Sequence, residues 1–485
     1  MRLFESRSLS RWSLRAIAFA APVLGAWACS IVNTFGDVLQ SAPTDASMTD
    51  TGGMKDTGPT DARGDADAGS QETGPNFPDR GVIVISGRVA DDAGNLQGVL
   101  TAIDPTDGHE LPNAREMRNV PIVQYDGLRD YWFIIETDGQ SLFPTPKDKA
   151  VLHVRTLDPV SGTWADLGSL QVPPPVFGLA TVITDRIAYV GFDPLVDSAS
   201  GTSFITLDTS DPGNPTIFTA STPLDIQPQG IIGTRSTSGK GGSVNMLESV
   251  QCPSDGGMSE DDAGDDGGDA GSGGIGGGFC LDFVHVAVPT NPVPVMLGFD
   301  LHLGPFFGRP AYGSYLGLPP SGAPQDVIAW SLPGGNPGSP GQTAIHTFTP
   351  TNLASVGSPI SIQTSDGFFQ PLAFAECLQQ AILTATNEDL SVYAVPLASA
   401  GGSLAQAMTT HSGQAVYFEP YTNTVLSPFT QGENYVLDAF TLGGTSDKPT
   451  LLQRSTGWNP PADVRPEVLG IRRPLPLKCL TDAGM

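Results

Sequence analysis

The sequence predicts an all-β protein built from many short strands. Its 485 residues include 58 glycines and 43 prolines, which favour turns and disfavour long helices. Hydrophobic residues make up 39% of the chain, enough for a core once the polar segments are set aside. The third observation is a recurring unit, in which a short apolar strand runs into a turn that opens with Asp-Pro or Pro. Together these features favour a fold assembled from repeated small sheets.

The recurring unit is clearest in three stretches, which read VLTAIDPTDG from Val99, HVRTLDPVSG from His153 and SFITLDTSDPGNP from Ser203. Further copies begin at Ala188, Phe283, Asp326, Ala344, Leu390 and Tyr435. Proline cannot donate a ladder hydrogen bond and so ends a strand, whereas Asp and Asn bond to nearby backbone and start the turn. A short-strand unit repeated at tens of residues predicts a β-propeller of about seven blades over residues 81–479.

Parts of this region resemble known propeller repeats. FITLDTSDPGNPTIFTAS, from Phe204, is similar to the LVIVD-type repeat, and FVHVAVPTNPVPVMLG, from Phe283, is a looser copy. VRTLDPVSGTWADLGSL, from Val154, resembles a kelch blade with Trp164 after its turn. The resemblance implies a propeller without selecting one repeat family, and a sandwich of two facing sheets is the alternative fold.

Residues 1–28 have the features of a lipoprotein signal peptide. Four arginines in the first fifteen residues precede an apolar run, Ala16 to Trp27, that is too short for an ordinary transmembrane helix. The stretch LGAWAC, which ends at Cys29, resembles a bacterial lipobox, and this implies acylation of Cys29 and anchorage in the lipid bilayer. Because Ser30 rather than Asp follows, the resemblance implies the outer membrane or cell surface of a two-membraned bacterium. Ordinary cleavage that leaves a free thiol is the alternative.

Residues 29–80 are expected to form a disordered linker rich in Asp, Gly and Thr, because aliphatic and aromatic residues almost vanish there. The net charge of the chain is −27, and about half of it lies in this linker and in a second acidic stretch at 252–280. Such charge keeps a chain solvated and argues against nucleic acid as a partner, since phosphate binding needs clustered Lys and Arg. A short tail is expected at 480–485.

The stretch from Cys252 to Cys280 reads CPSDGGMSEDDAGDDGGDAGSGGIGGGFC and interrupts the repeat between two strands. It lacks the EF-hand and RTX spacings, so a solvated insertion is preferred to a calcium site. Cysteine arithmetic predicts two disulfides once Cys29 is acylated. Cys252 would pair with Cys280 across the base of the loop, and Cys377 with Cys479 by elimination, pinning the C-terminus to the body.

No compact catalytic motif is present, since H-E-x-x-H, C-x-x-C, G-x-S-x-G and the P-loop frame are all missing. His153, His285 and His346 fall near the same place in three copies of the unit. They are candidates for a metal site at the propeller axis, although strand histidines with local hydrogen bonds are commoner. No cofactor is expected.

Two aromatic clusters are candidate ligand-facing surfaces. Tyr131 and Trp132 lie in DYWFIIE, and Phe306, Phe307 and Tyr312 lie in LGPFFGRPAYGSY. Aromatic residues near Gly and Pro loops form platforms for sugars or peptides, and the same residue types also fill protein cores. The expected function is binding of an envelope protein or glycan without catalysis. A propeller enzyme, such as a glycan hydrolase or lyase with an axial active site, and a purely structural envelope protein are the alternatives.

Overall fold

The computed structural model describes residues 79–139, 141, 143–183, 185–192, 201–218, 222–224, 228, 230–235, 242–251, 279–288, 295–306, 311–317, 325–334, 342–348, 360–363, 369–385, 391–397, 405–408, 415–431, 434–454 and 456–473. The predicted signal peptide, the linker up to residue 78, most of the acidic stretch and the predicted tail lie outside this set.

The strands of the described residues form seven sheets, which we number as blades in chain order. Blade 1 contains β1 (Ile83–Ala90), β2 (Leu96–Ile103) and the last strand of the chain, β28 (Arg465–Ile471). Blade 2 contains β3 (Ile122–Asp126), β4 (Tyr131–Thr137), β5 (Ala150–Leu157) and β6 (Trp164–Val172). Blade 3 contains β7 (Pro175–Ile183), β8 (Arg186–Phe192), β9 (Thr202–Asp208), β10 (Thr216–Ile217) and β11 (Thr222–Leu224).

The remaining four blades are regular, with four strands each. Blade 4 contains β12 (Gly230–Arg235), β13 (Gly242–Gln251), β14 (Phe279–Val288) and β15 (Val295–Phe306). Blade 5 contains β16 (Ala311–Gly317), β17 (Gln325–Gly334), β18 (Gln342–Phe348) and β19 (Ile360–Gln363). Blade 6 contains β20 (Phe369–Ala375), a 3-10 helix (Glu376–Leu378), β21 (Gln380–Ala385), β22 (Ser391–Pro396) and β23 (Ala405–Met408). Blade 7 contains β24 (Tyr417–Glu419), β25 (Thr424–Gln431), β26 (Asn434–Thr445) and β27 (Lys448–Gln453).

One strand of each blade lies in a closed inner ring. Around the ring the order of contact is β28, β3, β7, β12, β16, β20, β24 and back to β28. Each sheet continues outward from its inner strand as an antiparallel meander. Seven sheets around one ring confirm the predicted all-β propeller of about seven blades, and the sandwich of two facing sheets is wrong. The LVIVD and kelch repeat types stay predictions.

The two ends of the described chain meet in blade 1. The inner strand β28 pairs antiparallel with β1, from Ile471 opposite Ile83 to Arg465 opposite Arg88. Residues 110–116 make only isolated bridges to β2, at the place where the other blades have a fourth strand. The first blade is therefore completed by the last strand of the chain.

The meander fixes which connections share a face of the propeller. The chain goes outward and starts the next blade at the inside, so all inner strands run in the same direction. We call the end at which the inner strands begin the upper face, and the end at which they finish the lower face. Connections from second to third strands lie at the upper face, whereas connections from third to fourth strands lie at the lower face.

The recurring sequence unit marks one strand of every blade. Seven of its nine copies are third strands, namely β2, β5, β9, β14, β18, β22 and β26, and the other two are the second strands β8 and β17. In blades 1 to 3 the Asp that follows the third strand accepts a hydrogen bond from the backbone N–H two residues on, at Asp104, Asp158 and Asp208. The predicted turn chemistry is therefore confirmed in these blades.

The core is a series of layers between neighbouring blades. In β4, Trp132 and Ile134 pack against blade 1, whereas Phe133 and Ile135 pack with residues of blade 3. Successive strand residues point to opposite faces, and here both faces are covered by another sheet. This packing explains why the strands are nearly continuous apolar runs rather than alternating ones.

Candidate functional site

The first aromatic cluster belongs to the core. Tyr131 and Trp132 begin β4, and Trp132 has no exposed surface. The Trp132 ring lies 4.8 Å from that of Tyr125 and 6.3 Å from that of Trp164, measured between centroids. The expectation that Tyr131 and Trp132 face a ligand is wrong, because both side chains are buried in the inter-blade packing. Large aromatic rings fill the space between sheets and also form ligand platforms, so the residue type alone does not distinguish the two roles.

The three repeat-related histidines lie away from the axis. His153, His285 and His346 are on β5, β14 and β18, the third strands of blades 2, 4 and 5. Two strands separate each of them from the axis, a distance of about 10 Å in a sheet. The His153 Nε2 atom lies 3.3 Å from a carboxylate oxygen of Glu136 on the neighbouring strand. The placement corrects the idea of a shared axial metal site, because repeat-related positions in different blades diverge as the blades radiate outward.

Two members of the second aromatic cluster, Phe306 and Tyr312, lie at the upper face. Gln251 pairs with Phe279, and Phe279 pairs with Phe306, so the ends of β13, β14 and β15 are side by side. Tyr312 is the second residue of β16, the inner strand of the next blade, which also begins at this face. The register therefore places Phe306 beside the two strand ends that flank residues 252–278, and Tyr312 is at the same face.

That connection is the longest between consecutive strands, with 27 residues between Gln251 and Phe279. Cys280 lies on β14 opposite Val250. Cys252 and Phe307 lie outside the described residues, so the predicted Cys252–Cys280 bond and the role of Phe307 stay predictions. The upper end of blades 4 and 5 is the candidate ligand surface.

The lower face carries a buried polar cluster centred on Arg472, the first residue after β28. Arg472 Nε donates to Asp130 Oδ1 at 3.0 Å, and its Nη2 donates to Asp130 Oδ2. Its Nη1 donates to the backbone carbonyl of Arg80 at 2.6 Å. The Tyr125 hydroxyl donates to Asp130 Oδ1 at 2.6 Å. One guanidinium thus joins the end of the last strand, the start of the described chain and the inner turn of blade 2.

Burial and pairing set the charge states of this cluster. Burial alone would lower the pKa of Arg472, but the hydrogen bonds and charge of Asp130 raise it above its ordinary value. Burial raises the pKa of the Tyr125 phenol, and the negative charge of Asp130 raises it further. Arg472 therefore stays charged and Tyr125 stays neutral near neutral pH. Because the guanidinium is held by groups of the protein itself, the cluster fixes the ends of strands rather than presenting an open site.

A second arginine extends the cluster to blade 6. Arg473 pairs with Glu376, the first residue of the 3-10 helix, and both side chains are buried. The next residue, Cys377, is disulfide-bonded. Cys479 lies outside the described residues, so its pairing with Cys377 stays a prediction. Sequence reasoning missed both arginines, and the signal was the dipeptide in IRRPLP, in a chain with only 24 basic residues.

A charged network joins the outer parts of blades 1 and 2. We call this network the blade 1–2 seam; its members are Glu116, Arg118, Glu136, His153, Arg155 and Asp166. Arg155 binds both oxygens of Glu116, at 2.7 and 2.9 Å, and lies over the ring of Trp164. The hydrogen bond from His153 lowers the pKa of Glu136 most, and the charge of Arg118 lowers it further. The seam pairs each carboxylate with a cation.

Within the described part of the chain, no group of three or more His, Cys, Asp or Glu side chains is arranged to hold a metal ion. Among the same residues, no helix has the length and apolar character needed to cross a membrane.

No protein-family model matches the chain, and no curated protein matches it. Among solved structures it is similar to a putative 6-phosphogluconolactonase from Bacteroides uniformis ATCC 8492, with 10% identity and a TM-score of 0.49 over 81% of this chain and 99% of that one. A putative 6-phosphogluconolactonase from Bacteroides fragilis NCTC 9343 has 10% identity and a TM-score of 0.47, over 82% and 99%. The β-propeller domain of the Trilobed protease from Pyrococcus furiosus has 8% identity and a TM-score of 0.41, over 74% and 89%. No activity is carried over at this level of similarity, and the fold rests on the sheets of the chain itself.

Proposed function

We propose that this chain is a cell-envelope lipoprotein whose propeller binds a protein or glycan at its upper face. The observation that supports this proposal is the strand register of blade 4. It brings Phe306 beside Gln251 and Phe279, the two residues that flank the 27-residue acidic connection, and Tyr312 lies near the start of β16 at the same face. Long connections on a rigid scaffold are common carriers of binding function.

The anchor is acylated Cys29, and the linker 29–80 joins it to the body. The described chain begins at the lower face, where the carbonyl of Arg80 accepts a hydrogen bond from Arg472. The tether and the proposed ligand surface are therefore at opposite ends of the propeller. Mass spectrometry of the mature N-terminus should show a diacylated or triacylated Cys29, whereas an unmodified residue there would contradict anchorage and leave the binding proposal standing.

Binding at the upper face is tested with the mature protein and two upper-face variants. One replaces residues 254–278 by a short Gly-Ser linker, and the other is the triple variant Phe306→Ala, Phe307→Ala and Tyr312→Ala. The matched control is Val160→Ala, which removes an exposed apolar side chain from the turn between the third and fourth strands of blade 2. Circular dichroism and thermal unfolding first establish that the variants remain folded.

The probes are a printed glycan array and crosslinked proteins of the cell envelope. We expect the wild type and the control to retain the same glycan or protein, and both upper-face variants to lose it. Loss in the control with retention in the upper-face variants would place binding at the other face and overturn the proposal. Turnover of an array glycan, seen as a shortened product, would instead favour the alternative of a glycan hydrolase or lyase.

A further inference from the structure

Arg472 and Arg473, the two residues that follow β28 of blade 1, each bind a residue of another blade. Arg472 donates two hydrogen bonds to Asp130 of blade 2, and Arg473 forms an ion pair with Glu376 of blade 6. Both arginines are only 2% exposed. Blade 6 and blade 1 are not neighbours in the ring, so the Arg473–Glu376 pair joins two blades that have blade 7 between them.

Burying two like charges side by side opposes folding unless each has close, hydrogen-bonded partners. A ladder between β28 and β1 would be enough to close the sheet of blade 1. The arginines add contacts outside that sheet, and these contacts attach the end of β28 to blade 2 and to blade 6. Their geometry therefore points to a task other than completing the blade.

That task concerns the ladder between β1 and β28. Among the described blades, blade 1 alone is assembled from both ends of the described chain. No turn connects β28 to β1, so these two strands can separate while every hairpin stays intact. The ladder also contains a bulge between Ser86 and Gly87. In every other blade the inner strand continues directly through the chain into the next strand of its own sheet.

We propose that Arg472 and Arg473 form a latch that controls the opening of the ring. By binding Asp130 and Glu376, they keep the whole of β28 paired with β1. The latch also holds the N-terminal side of the same blade, because Arg472 binds the carbonyl of Arg80 just before β1. Release of the latch would therefore let β28 separate from β1, while the strands of blades 2 to 7 stay paired. The inference does not depend on the proposed ligand or anchor.

The test is amide hydrogen exchange on the mature protein, with Arg472→Ala, Arg473→Ala, Asp130→Asn and Glu376→Gln. The matched control is Arg129→Ala, because Arg129 also bonds a carboxylate and a backbone carbonyl at the lower face, but links blades 2 and 3. Local opening is read directly in such experiments, as faster exchange confined to the segment that opens. The strands β8 and β9 of blade 3 serve as the internal reference.

We expect exchange in β28 and β1 to rise about ten-fold or more in the latch variants, with β8 and β9 unchanged, since a contiguous unit opens without the rest. Arg129→Ala should leave β28 and β1 at the wild-type rate. Equal acceleration in all blades would show that the arginines stabilise the whole fold and would overturn the latch, as would unchanged exchange in β28. Should the alanine variants fail to accumulate, Asp130→Asn and Glu376→Gln decide between the same outcomes, because both keep the side-chain size and remove the charge.

Discussion

At the scale of single residues, Gly87 is required by the bulge opposite it. Ser86 pairs with Val468 and Gly87 pairs with Pro466, so Glu467 is the extra residue of β28. A Cβ atom on Gly87 would lie well inside contact distance of the Arg465 carbonyl oxygen. Only glycine lets the two backbones approach this closely.

We therefore expect Gly87→Ala to lower the free energy of unfolding by about 1–3 kcal/mol, the usual effect of forcing an atom into a filled space. Urea denaturation followed by circular dichroism measures the change. Gly213→Ala is the matched control, because the nearest heavy atom to its new Cβ would be 3.4 Å away. Equal midpoints for the two variants would contradict the close approach at Gly87.

Residue types alone did not separate function from packing. The stretch DYWFIIE had the composition of a ligand platform, but Trp132 fills the layer between blades 1 and 2. The reverse holds for Arg472 and Arg473: they belong to no recognised motif, yet they lie in a buried polar cluster at the lower face. Whether an aromatic or charged side chain is buried depends on the neighbouring sheet, which is far away in sequence.

At the scale of elements, the strand-and-turn unit predicted the blades well because its chemistry is local. The Asp that ends the third strand caps its own turn, so its effect depends on residues two to four positions away. The sequence pattern did not show the position of a strand within its blade. His153, His285 and His346 were in register with one another, but the pattern could not tell an inner strand from a third strand.

The blade 1–2 seam predicts how stability depends on pH. Burial would raise the pKa of Glu116, but the hydrogen bond and charge of Arg155 and the charge of Arg118 lower it, and the pKa of Glu136 is lowered as well. For a carboxyl whose folded pKa is below its unfolded value, the unfolded chain takes up the proton first as the pH falls. The stabilisation is thus complete above the ordinary glutamate value of 4.5 and is lost as the pH falls through the folded pKa.

We expect the free energy of unfolding to fall steadily below about pH 4.5 in the wild type. The double variant Glu116→Gln and Glu136→Gln should start less stable at neutral pH and show a shallower fall in acid. Asp92→Asn, at an exposed turn, is the control and should keep the wild-type slope. Chemical denaturation at a series of pH values gives the slopes. If the free energy of unfolding fell in parallel for the wild type and the double variant, the seam carboxylates would not be the cause of the pH dependence.

At the scale of the whole molecule, the propeller was predictable, with about seven blades, but the closure was not. Every blade has a copy of the unit as its third strand, but blades 3 and 5 each have a second copy, so the nine copies exceed the seven blades. The pairing of Arg465–Ile471 with Ile83–Ala90 spans nearly the whole described chain, and no local pattern encodes such a distant partner.

The closed ring also supplies geometry for the predicted disulfides. Cys377 follows Glu376, which holds Arg473 at the lower face. Cys479 comes six positions after Arg473, a span of at most about 20 Å, so Cys479 can reach Cys377. Cys280 lies at the upper end of β14, and Cys252 comes directly after Gln251 at the same end.

We therefore expect the bonds Cys377–Cys479 and Cys252–Cys280, and they should differ in their effect on stability. The first closes a loop of about 100 residues and should contribute about 4–5 kcal/mol, whereas the second closes a much shorter loop and should contribute about 3 kcal/mol. Peptide mapping without reduction identifies the pairs, and urea unfolding of Cys377→Ser/Cys479→Ser beside Cys252→Ser/Cys280→Ser compares their contributions. Crossed pairs between the upper and lower cysteines would contradict the placement of the two faces. A larger loss in the Cys252→Ser/Cys280→Ser variant would show that the acidic connection, rather than the end of the chain, is the segment whose attachment matters most to the fold.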